Sequence, residues 1–222
     1  LKLFVTEKCT PDETKNAFTS LHTFFVNDLP PQHDNILSVA KVAVTLETLS
    51  EDLETIKYLW QRAVQNQDAD FLRAAEPTLT RFFDVSSRMK EGLELYEPAI
   101  AMLEQQDNTP EIIDALSRLS EGRISMLFRL GHFDAALTHT KNALAYFFKH
   151  QQQRRAGGVL VTLNRIHLAR GNTQAAHQVL EQASQLYTTL NDVRGHVIVR
   201  ASVSEIALLF EDNPPSQMLP DM

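Results

Sequence analysis

The clearest pattern of apolar and polar positions in this chain occurs twice, with an offset of 40 residues. The segment LGHFDAALTHTKNALAYF covers residues 130–147, and RGNTQAAHQVLEQASQLY covers residues 170–187. The positions that recur between the two segments are Gly131 and Gly171, Ala136 and Ala176, and Ala143 and Ala183. A fixed period of this length is typical of stacked helical hairpins, in which each unit buries its apolar face against its neighbours. The pattern therefore predicts a helical solenoid.

Each copy has small residues where the two helices of a hairpin would meet. A Gly marks the turn, an Ala follows five positions later, and a second Ala lies seven positions further on, two helical turns along the same face. An earlier copy has Gly92 and Ala99 in the same register, with 44 residues between Gly92 and Ala136. Thr109 and Pro110 give the next helix a cap and a proline at its first position. We expect an all-α protein.

The ends of the chain are predicted from cap and breaker residues. Thr10 and Pro11 open an N-terminal helix, and Pro30 and Pro31 end it. Asp34 caps the next helix and Ser50 caps the one after. The residues of the helix after Ser50 that are predicted to point inward are Leu53, Ile56, Leu59 or Trp60, and Ala63. A last helix follows the LNDVRG turn and runs to about residue 210. We therefore divide the chain into N-terminal helices (1–50), helical repeats (51–211) and a disordered, proline-rich tail (212–222).

The repeated segment resembles tetratricopeptide repeats. Gly131, Phe133, Ala136 and Ala143 match the Gly, aromatic and two Ala positions of that family, while the second copy has Thr173 in place of the aromatic residue. The resemblance implies an α-α superhelix of helical hairpins that binds other molecules, with no chemistry attached to the motif.

A second resemblance covers residues 52–103. This run is similar to the linker and first repeat behind the nucleotide-binding core of bacterial signal-transduction ATPases, including LuxR-type and antibiotic-regulatory transcription activators. The residues that carry it are Ile56, Lys57, Asp68, Phe82, Phe83, Arg88, Glu91, Gly92 and Ala99. The opening segment resembles the family's junction after a winged-helix segment, with His22, Phe24 and Phe25 at its His and aromatic positions. The resemblance implies the sensor and scaffold region of a multidomain regulator.

Charge and composition exclude several classes of function. The net charge is -7, and residues 1–110 carry 10 Lys and Arg against 18 Asp and Glu, whereas residues 111–222 carry 11 against 10. We expect no direct contact with nucleic acid, because a basic stripe is lacking, although the C-terminal half leaves room for a local basic groove. Cys9 is the single cysteine, which suits a reducing compartment, and no apolar run is long enough for a membrane span. We expect a cytoplasmic protein.

The candidate binding site is the concave wall that the first helices of successive hairpins would form. The residues predicted to project into this groove are Arg81, Asp84, Arg118, Glu121, Ser125, Arg129, Arg165 and Glu205. Planar guanidinium groups can hold a carboxylate or phosphate through two hydrogen bonds, so an acidic peptide or a small anionic ligand is one interpretation. The other is that these charges pair across neighbouring helices and keep the groove hydrated, since exposed charge pairs are common and individually weak.

The sequence shows no pattern of an enzyme, a metal site or a cofactor site. It has no nucleophile motif and no Gly-rich phosphate loop, so we expect no catalysis and no cofactor. His132 and His139 are the closest candidate metal pair, but His132 falls in the turn and no third ligand completes a set, so we expect no metal site. The aromatic run at residues 146–148 is interpreted as packing, because Phe147 lies four residues from Ala143.

Two hypotheses for function remain. The first is the ligand- or partner-binding sensor region of a bacterial signal-transduction ATPase or transcription regulator, and the second is a free-standing tetratricopeptide adaptor that joins two proteins. In both, the partner is a protein or peptide. The apolar residues of the last helix, expected to be partly uncovered, leave self-association open; they are Ile206, Leu208, Leu209 and Phe210.

Overall fold

A computed structural model describes residues 19, 20, 23, 27, 29–38 and 40–210, and for residues 209 and 210 it describes only the backbone. Several predictions therefore lie outside the described residues: those on Cys9, on the cap at Thr10 and Pro11, on the junction pattern at residues 22–25 and on the tail at 212–222. Among the helices that are described, none combines the length and the apolar character that crossing a membrane requires.

The described residues are helical and contain no strand, which confirms the predicted all-α fold class. Within each unit, helices that are adjacent in the chain pack on one another, as expected of a repeat-like fold. The helices are α1 (Val42–Gln65), α2 (Ala69–Val85), α3 (Met89–Leu103), α4 (Pro110–Arg129), α5 (Phe133–Lys149), α6 (Gln153–Ala169), α7 (Thr173–Thr189) and α8 (Val193–Phe210). Residues 29–37 are helical as well. The chain divides into two compact units, Leu1–Met126 and Leu127–Met222, with the boundary inside α4.

Six of the turns between helices in residues 40–210 have one conformation. Each is three residues long, and its middle residue has a positive φ; these residues are Gln67, Ser87, Gly131, Gln151, Gly171 and Asn191. The residue that follows donates its N–H to the carbonyl five positions earlier, as Asn172 does to His167 at 2.9 Å. This arrangement satisfies carbonyls at the end of one helix and reverses the chain into the next. Within residues 127–210, successive positive-φ residues lie 20 positions apart, which is the length of one helix and its turn. A hairpin contains two helices, so the hairpin period is 40 residues.

The longer first interval has a local cause. The connection between α3 and α4 covers residues 104–109, twice the length of the other turns, and α4 is 20 residues long. Pro110 begins α4, and the Thr109 hydroxyl accepts a hydrogen bond from the N–H of Ile112 at 3.4 Å. The prediction of a cap and a first-position proline is therefore confirmed, and it explains the 44-residue interval between Gly92 and Ala136.

The small residues predicted to lie between helices are buried. Ala136, Ala143, Ala176 and Ala183 are all buried, as is Ala99 in the earlier copy. At Gly92 the approach is close, because a Cβ there would lie 2.7 Å from Sδ of Met126 and 2.9 Å from a ring atom of Phe83. Close helix contact of this kind requires the missing side chain, so the register predicted from the sequence is confirmed.

The core of the first unit is built on two stacked aromatic rings. Trp60 on α1 and Tyr96 on α3 lie 5.2 Å apart with nearly parallel rings, and both are fully buried. The Trp60 indole N–H donates to the carbonyl of Leu95 at 2.8 Å, so its one polar atom is satisfied. The inward positions predicted for α1, namely Leu53, Ile56, Leu59, Trp60 and Ala63, are all buried.

In the second unit, the Tyr187 side chain fills space that two glycines leave open. A Cβ at Gly157 of α6 would lie 2.6 Å from Cζ of Tyr187, and one at Gly195 of α8 would overlap the same ring. Phe147 is fully buried, which confirms that it serves packing. Ile206 also belongs to this core, so the expectation that it is uncovered is wrong: it lies on the face of α8 that packs on the core, whereas Leu208 is 83% exposed.

Three predicted helix boundaries are wrong. Residues 29–37 are helical, so Pro30 and Pro31 do not end helical structure there; the fixed φ of proline is compatible with a helix. Asp34 lies inside the same helix and does not cap the next one. Ser50 does not cap a helix but lies within α1, where its hydroxyl donates to the carbonyl of Leu46 at 2.6 Å. This local hydrogen bond is the alternative that a serine finds inside a helix, and the predicted division at residue 50 falls inside α1.

Candidate functional site

In the first unit, the predicted groove residues of α2 form an ion pair with each other. Arg81 Nη1 lies 3.1 Å from Asp84 Oδ2, one turn further along the helix. The Arg81 side chain is 39% exposed, and its buried Nε has no hydrogen-bond partner among the described residues. Of the eight predicted groove residues, these two are brought into direct contact.

On α4, Arg118 pairs with a residue that had not been assigned to the groove. Its Nε lies 3.0 Å from Oδ2 of Asp114, and the same carboxylate is 4.0 Å from Arg73 of α2. Glu121 and Ser125 of α4 are half-buried. Arg81 and Arg118 thus pair mainly with acids on their own helix. This agrees with the interpretation that the groove charges pair with other charges of the protein and keep the groove hydrated. The pairs form along one helix more than across neighbouring helices.

In the second unit, three predicted groove residues lie on three different helices, and all are exposed. Arg129 ends α4, Arg165 lies in the last third of α6, and Glu205 lies on α8. Within the described part of the chain, Arg165 has no ion-pair partner, so its guanidinium group retains all its donors for another molecule.

The charge of the chain changes sign between the two units. Residues 40–126 carry nine Lys and Arg against 16 Asp and Glu, whereas residues 127–210 carry nine against four. Six of the eight histidines of the chain also lie in residues 127–210. The division of the sequence at residue 110 had hidden this contrast, because it counted three acidic residues of the first unit, and three more at positions 211, 212 and 221, with the C-terminal half.

A cluster of three charged side chains joins α1 to α3. Arg88 donates two hydrogen bonds to Glu91, at 2.6 and 2.8 Å, and Lys57 of α1 donates to the same carboxylate at 2.7 Å. These hydrogen bonds, first from Arg88 and then from Lys57, lower the pKa of Glu91 to about 2. The resemblance to the regulator family had marked all three residues, but their contact across 34 positions was not predicted. Its geometry is that of a structural ion pair.

Buried polar groups lie between α2 and α3. The hydroxyl of Tyr96 donates to the carbonyl of Glu76 at 3.1 Å and contacts Thr80 Oγ1 at 2.8 Å, while Thr80 donates to the Glu76 carboxylate at 2.6 Å. Burial raises the pKa of Tyr96 well above its ordinary value. A Cβ at Gly122 would lie 2.7 Å from Thr80 Oγ1. Glu76 and Tyr96 are buried and Thr80 is half-buried, so the network contributes to the contact between α2 and α3.

Asn164 is a second buried polar group, and its side-chain amide is unpaired among the described residues. It is fully buried on α6, and neither its amide nitrogen nor its amide oxygen has a hydrogen-bond partner among the described residues. The residue 40 positions earlier, Ile124, is apolar and buried. An unpaired buried amide costs stability, so this position is a departure from the repeat that packing does not explain.

The described residues contain no cluster of three or more His, Cys, Asp or Glu able to hold a metal ion. His132 is the residue before the first turn of α5, which confirms that it belongs to a turn.

The chain was also compared with known proteins. No protein-family model matches it, and searches of curated proteins and of solved structures find no significant match.

Proposed function

We propose that this chain is a non-enzymatic binding scaffold that holds a protein or peptide partner, or a small anionic ligand, on the first helices of its hairpins. The observation that carries the proposal is the exposed side of α6. Arg154, Gly158, Arg165 and Ala169 are exposed and lie at helical spacing, while the residues between them are mostly buried in the core. A rigid helix with one exposed stripe is a form in which helical repeats offer side chains to a ligand.

Arg165 is the residue on which binding would depend most. Its exposed guanidinium group matches the planar geometry of a carboxylate, and the surrounding unit has an excess of positive charge that favours acidic molecules. In the first unit, Arg81 and Arg118 already pair with acids, so they would contribute less to binding.

We further propose that the scaffold is the sensor region of a bacterial signal-transduction ATPase or transcription regulator and acts in the cytoplasm without direct contact with nucleic acid. This proposal rests on the resemblance of residues 52–103. Arg88, Glu91 and Lys57, which carry part of it, fix α1 to α3, and a sensor needs such rigid joints if ligand binding is to shift an equilibrium elsewhere in the protein.

The binding proposal is tested with a panel of fluorescein-labelled nine-residue peptides that contain Asp or Glu and end in a free carboxylate. Fluorescence anisotropy should detect binding to the chain, and Arg165→Glu should weaken it at least about tenfold. The matched control is Lys141→Glu, which makes the same charge change at an exposed position of α5 and should alter affinity less than about twofold. Equal losses in both variants, or no binding by any acidic peptide, would contradict the proposal.

The sensor and adaptor hypotheses are separated by the reading frame upstream of residue 1. A phosphate-binding loop followed by a winged-helix segment would support the sensor region. A start codon directly before residue 1 would exclude it and leave the adaptor, which would be pursued by identifying its two partners.

A further inference from the structure

The outer side of α8 has the composition of a surface that receives another helix. Val193, Val197 and Leu208 are 76%, 61% and 83% exposed, and the exposed Ala201 lies between them at helical spacing. The opposite side of α8 is in the core, as the burial of Val199 and Ile206 shows. The exposed sides of helices are usually polar, so a continuous apolar stripe here indicates a contact.

Comparison with α6, one repeat earlier, supports this reading of the exposed stripe. The residues of α6 that correspond to Val197 and Ala201 are Gly157 and Val161, and both are buried. In α6 this face is covered because α7 and α8 pack on the helix. The stripe on α8 therefore lies at the register positions that accept a following helix within the repeat.

The charges beside the stripe favour an acidic partner. Arg200 is exposed in the middle of α8, at the position that Leu160 occupies in the core of the previous repeat. Arg194 is also exposed, one turn from Val197 and two turns from Ala201. Asp192, the nearby acid, is buried and pairs with Arg154 at 2.6 Å, and this hydrogen bond lowers the pKa of Asp192 to about 2. The one exposed acid described on α8 is Glu205.

A face of the opposite charge is present on α1 of the same chain. Glu47, Glu51 and Glu54 are exposed between the start and the middle of α1, together with Val44, which is 67% exposed, and Thr48. Glu47 and Glu51 lie four residues apart on one side of the helix, so they can face two arginines of a partner helix.

We infer that the α8 stripe binds the acidic face of α1 of a second copy of this chain, in a head-to-tail arrangement. Residues 40–126, which contain α1, have an acidic excess and residues 127–210, which contain α8, have a basic excess, so unlike faces of two copies attract while like faces repel. Contacts of this kind join the tail of one copy to the head of the next and leave a free face at each end, so they are not limited to two copies.

The first test is the mass of the full chain by sedimentation equilibrium at several protein concentrations. At about 0.05 M salt the average mass should rise above that of the monomer as the concentration increases, and at about 0.5 M salt it should return towards the monomer. A monomer mass at every concentration in low salt would overturn the inference.

Charge reversals then identify the surfaces. The α8 variant is Arg194→Glu with Arg200→Glu, and the α1 variant is Glu47→Lys with Glu51→Lys. Each should be monomeric alone, because its α1 and α8 faces then carry charge of the same sign. An equimolar mixture should associate again, because the unaltered faces form one complementary pair and the reversed faces form another. The four substitutions combined in one chain should restore self-association.

The control is Lys141→Glu with Lys149→Glu, which makes the charge change of the α8 variant at two exposed positions of α5 and should associate like the unaltered chain. Circular dichroism would establish that all variants are folded. Self-association of the α1 variant alone would indicate contact between two α8 helices and overturn the head-to-tail arrangement, as would failure of the mixture to associate. The result is independent of the peptide test, which uses Arg165.

Discussion

Two adjacent glycines of α6 should respond in opposite ways to the same substitution. At Gly158, which is exposed, the nearest atom to an added Cβ is the Tyr187 hydroxyl at 4.0 Å, so Gly158→Ala adds a methyl group without a clash. Alanine is favoured over glycine in a helix by about 1 kcal/mol, since it loses less backbone entropy on folding. We therefore expect Gly158→Ala to stabilise the second unit by about 0.5–1 kcal/mol.

Gly157→Ala has the same gain in propensity but a larger cost. The added Cβ would lie 2.6 Å from Cζ and 2.8 Å from Cε1 of Tyr187. The ring is 3% exposed and also contacts Gly195, so it has little free volume into which to withdraw. Overpacking of a core typically costs about 1–3 kcal/mol, and we expect a net destabilisation of about 1–2 kcal/mol for Gly157→Ala.

Urea denaturation followed by far-ultraviolet circular dichroism measures both effects. The shorter Tyr187→Leu side chain removes the atoms that clash, so the double variant Gly157→Ala, Tyr187→Leu should be less destabilised than the sum of the single variants by about 1 kcal/mol. If Gly157→Ala is as stable as Gly158→Ala, or if the double variant is additive, then the close packing of the Tyr187 ring on α6 is refuted.

Three further predictions concern the turns, the core and the charged cluster. Gly131→Ala should destabilise by about 1 kcal/mol and Gln151→Gly should stabilise by about 0.5–1 kcal/mol, because both residues have a positive φ that favours glycine; thermal unfolding would show it, and shifts of the same sign would contradict it. Asn164→Leu should stabilise by about 1–2 kcal/mol in urea denaturation, because it removes a buried amide with no partner among the described residues; destabilisation would indicate that the amide has a bound partner. Glu91→Gln should cost about 1 kcal/mol at neutral pH, because the ionised Glu91 is stabilised by Arg88. Since the pKa of Glu91 is lowered, this contribution is fully present above about pH 4–5 and is lost as the pH falls to about 2, so the difference between the two proteins should disappear at the acid end.

The sequence predicted the turns that contain glycine and missed the chemistry of the others. Gly131 and Gly171 gave the period, whereas the equivalent turns at Gln67 and Gln151 contain no residue that signals a positive φ. Their conformation follows from the packing of the helices on either side, which imposes the reversal on whatever residue is present. The Ala positions, in contrast, were predictable from the sequence, because close contact between helices excludes larger side chains at these positions.

The candidate site was predictable in part. The pairs Arg81 with Asp84 and Arg118 with Asp114 follow from spacings of three and four residues on a helix, so a reading of charges along each helix would have found them. The contact of Lys57 with Glu91 joins residues 34 positions apart and depends on how α1 packs on α3, which no local pattern contains.

The repeated turn has a consequence for how the chain folds. Each of the six turns closes its hydrogen bonds within six residues, and the helices it joins pack mainly on neighbours in the chain. Contacts that are local in sequence require little loop closure, so the search for native pairs is short and refolding should take microseconds to milliseconds. A nucleus could form at any hairpin and grow in either direction.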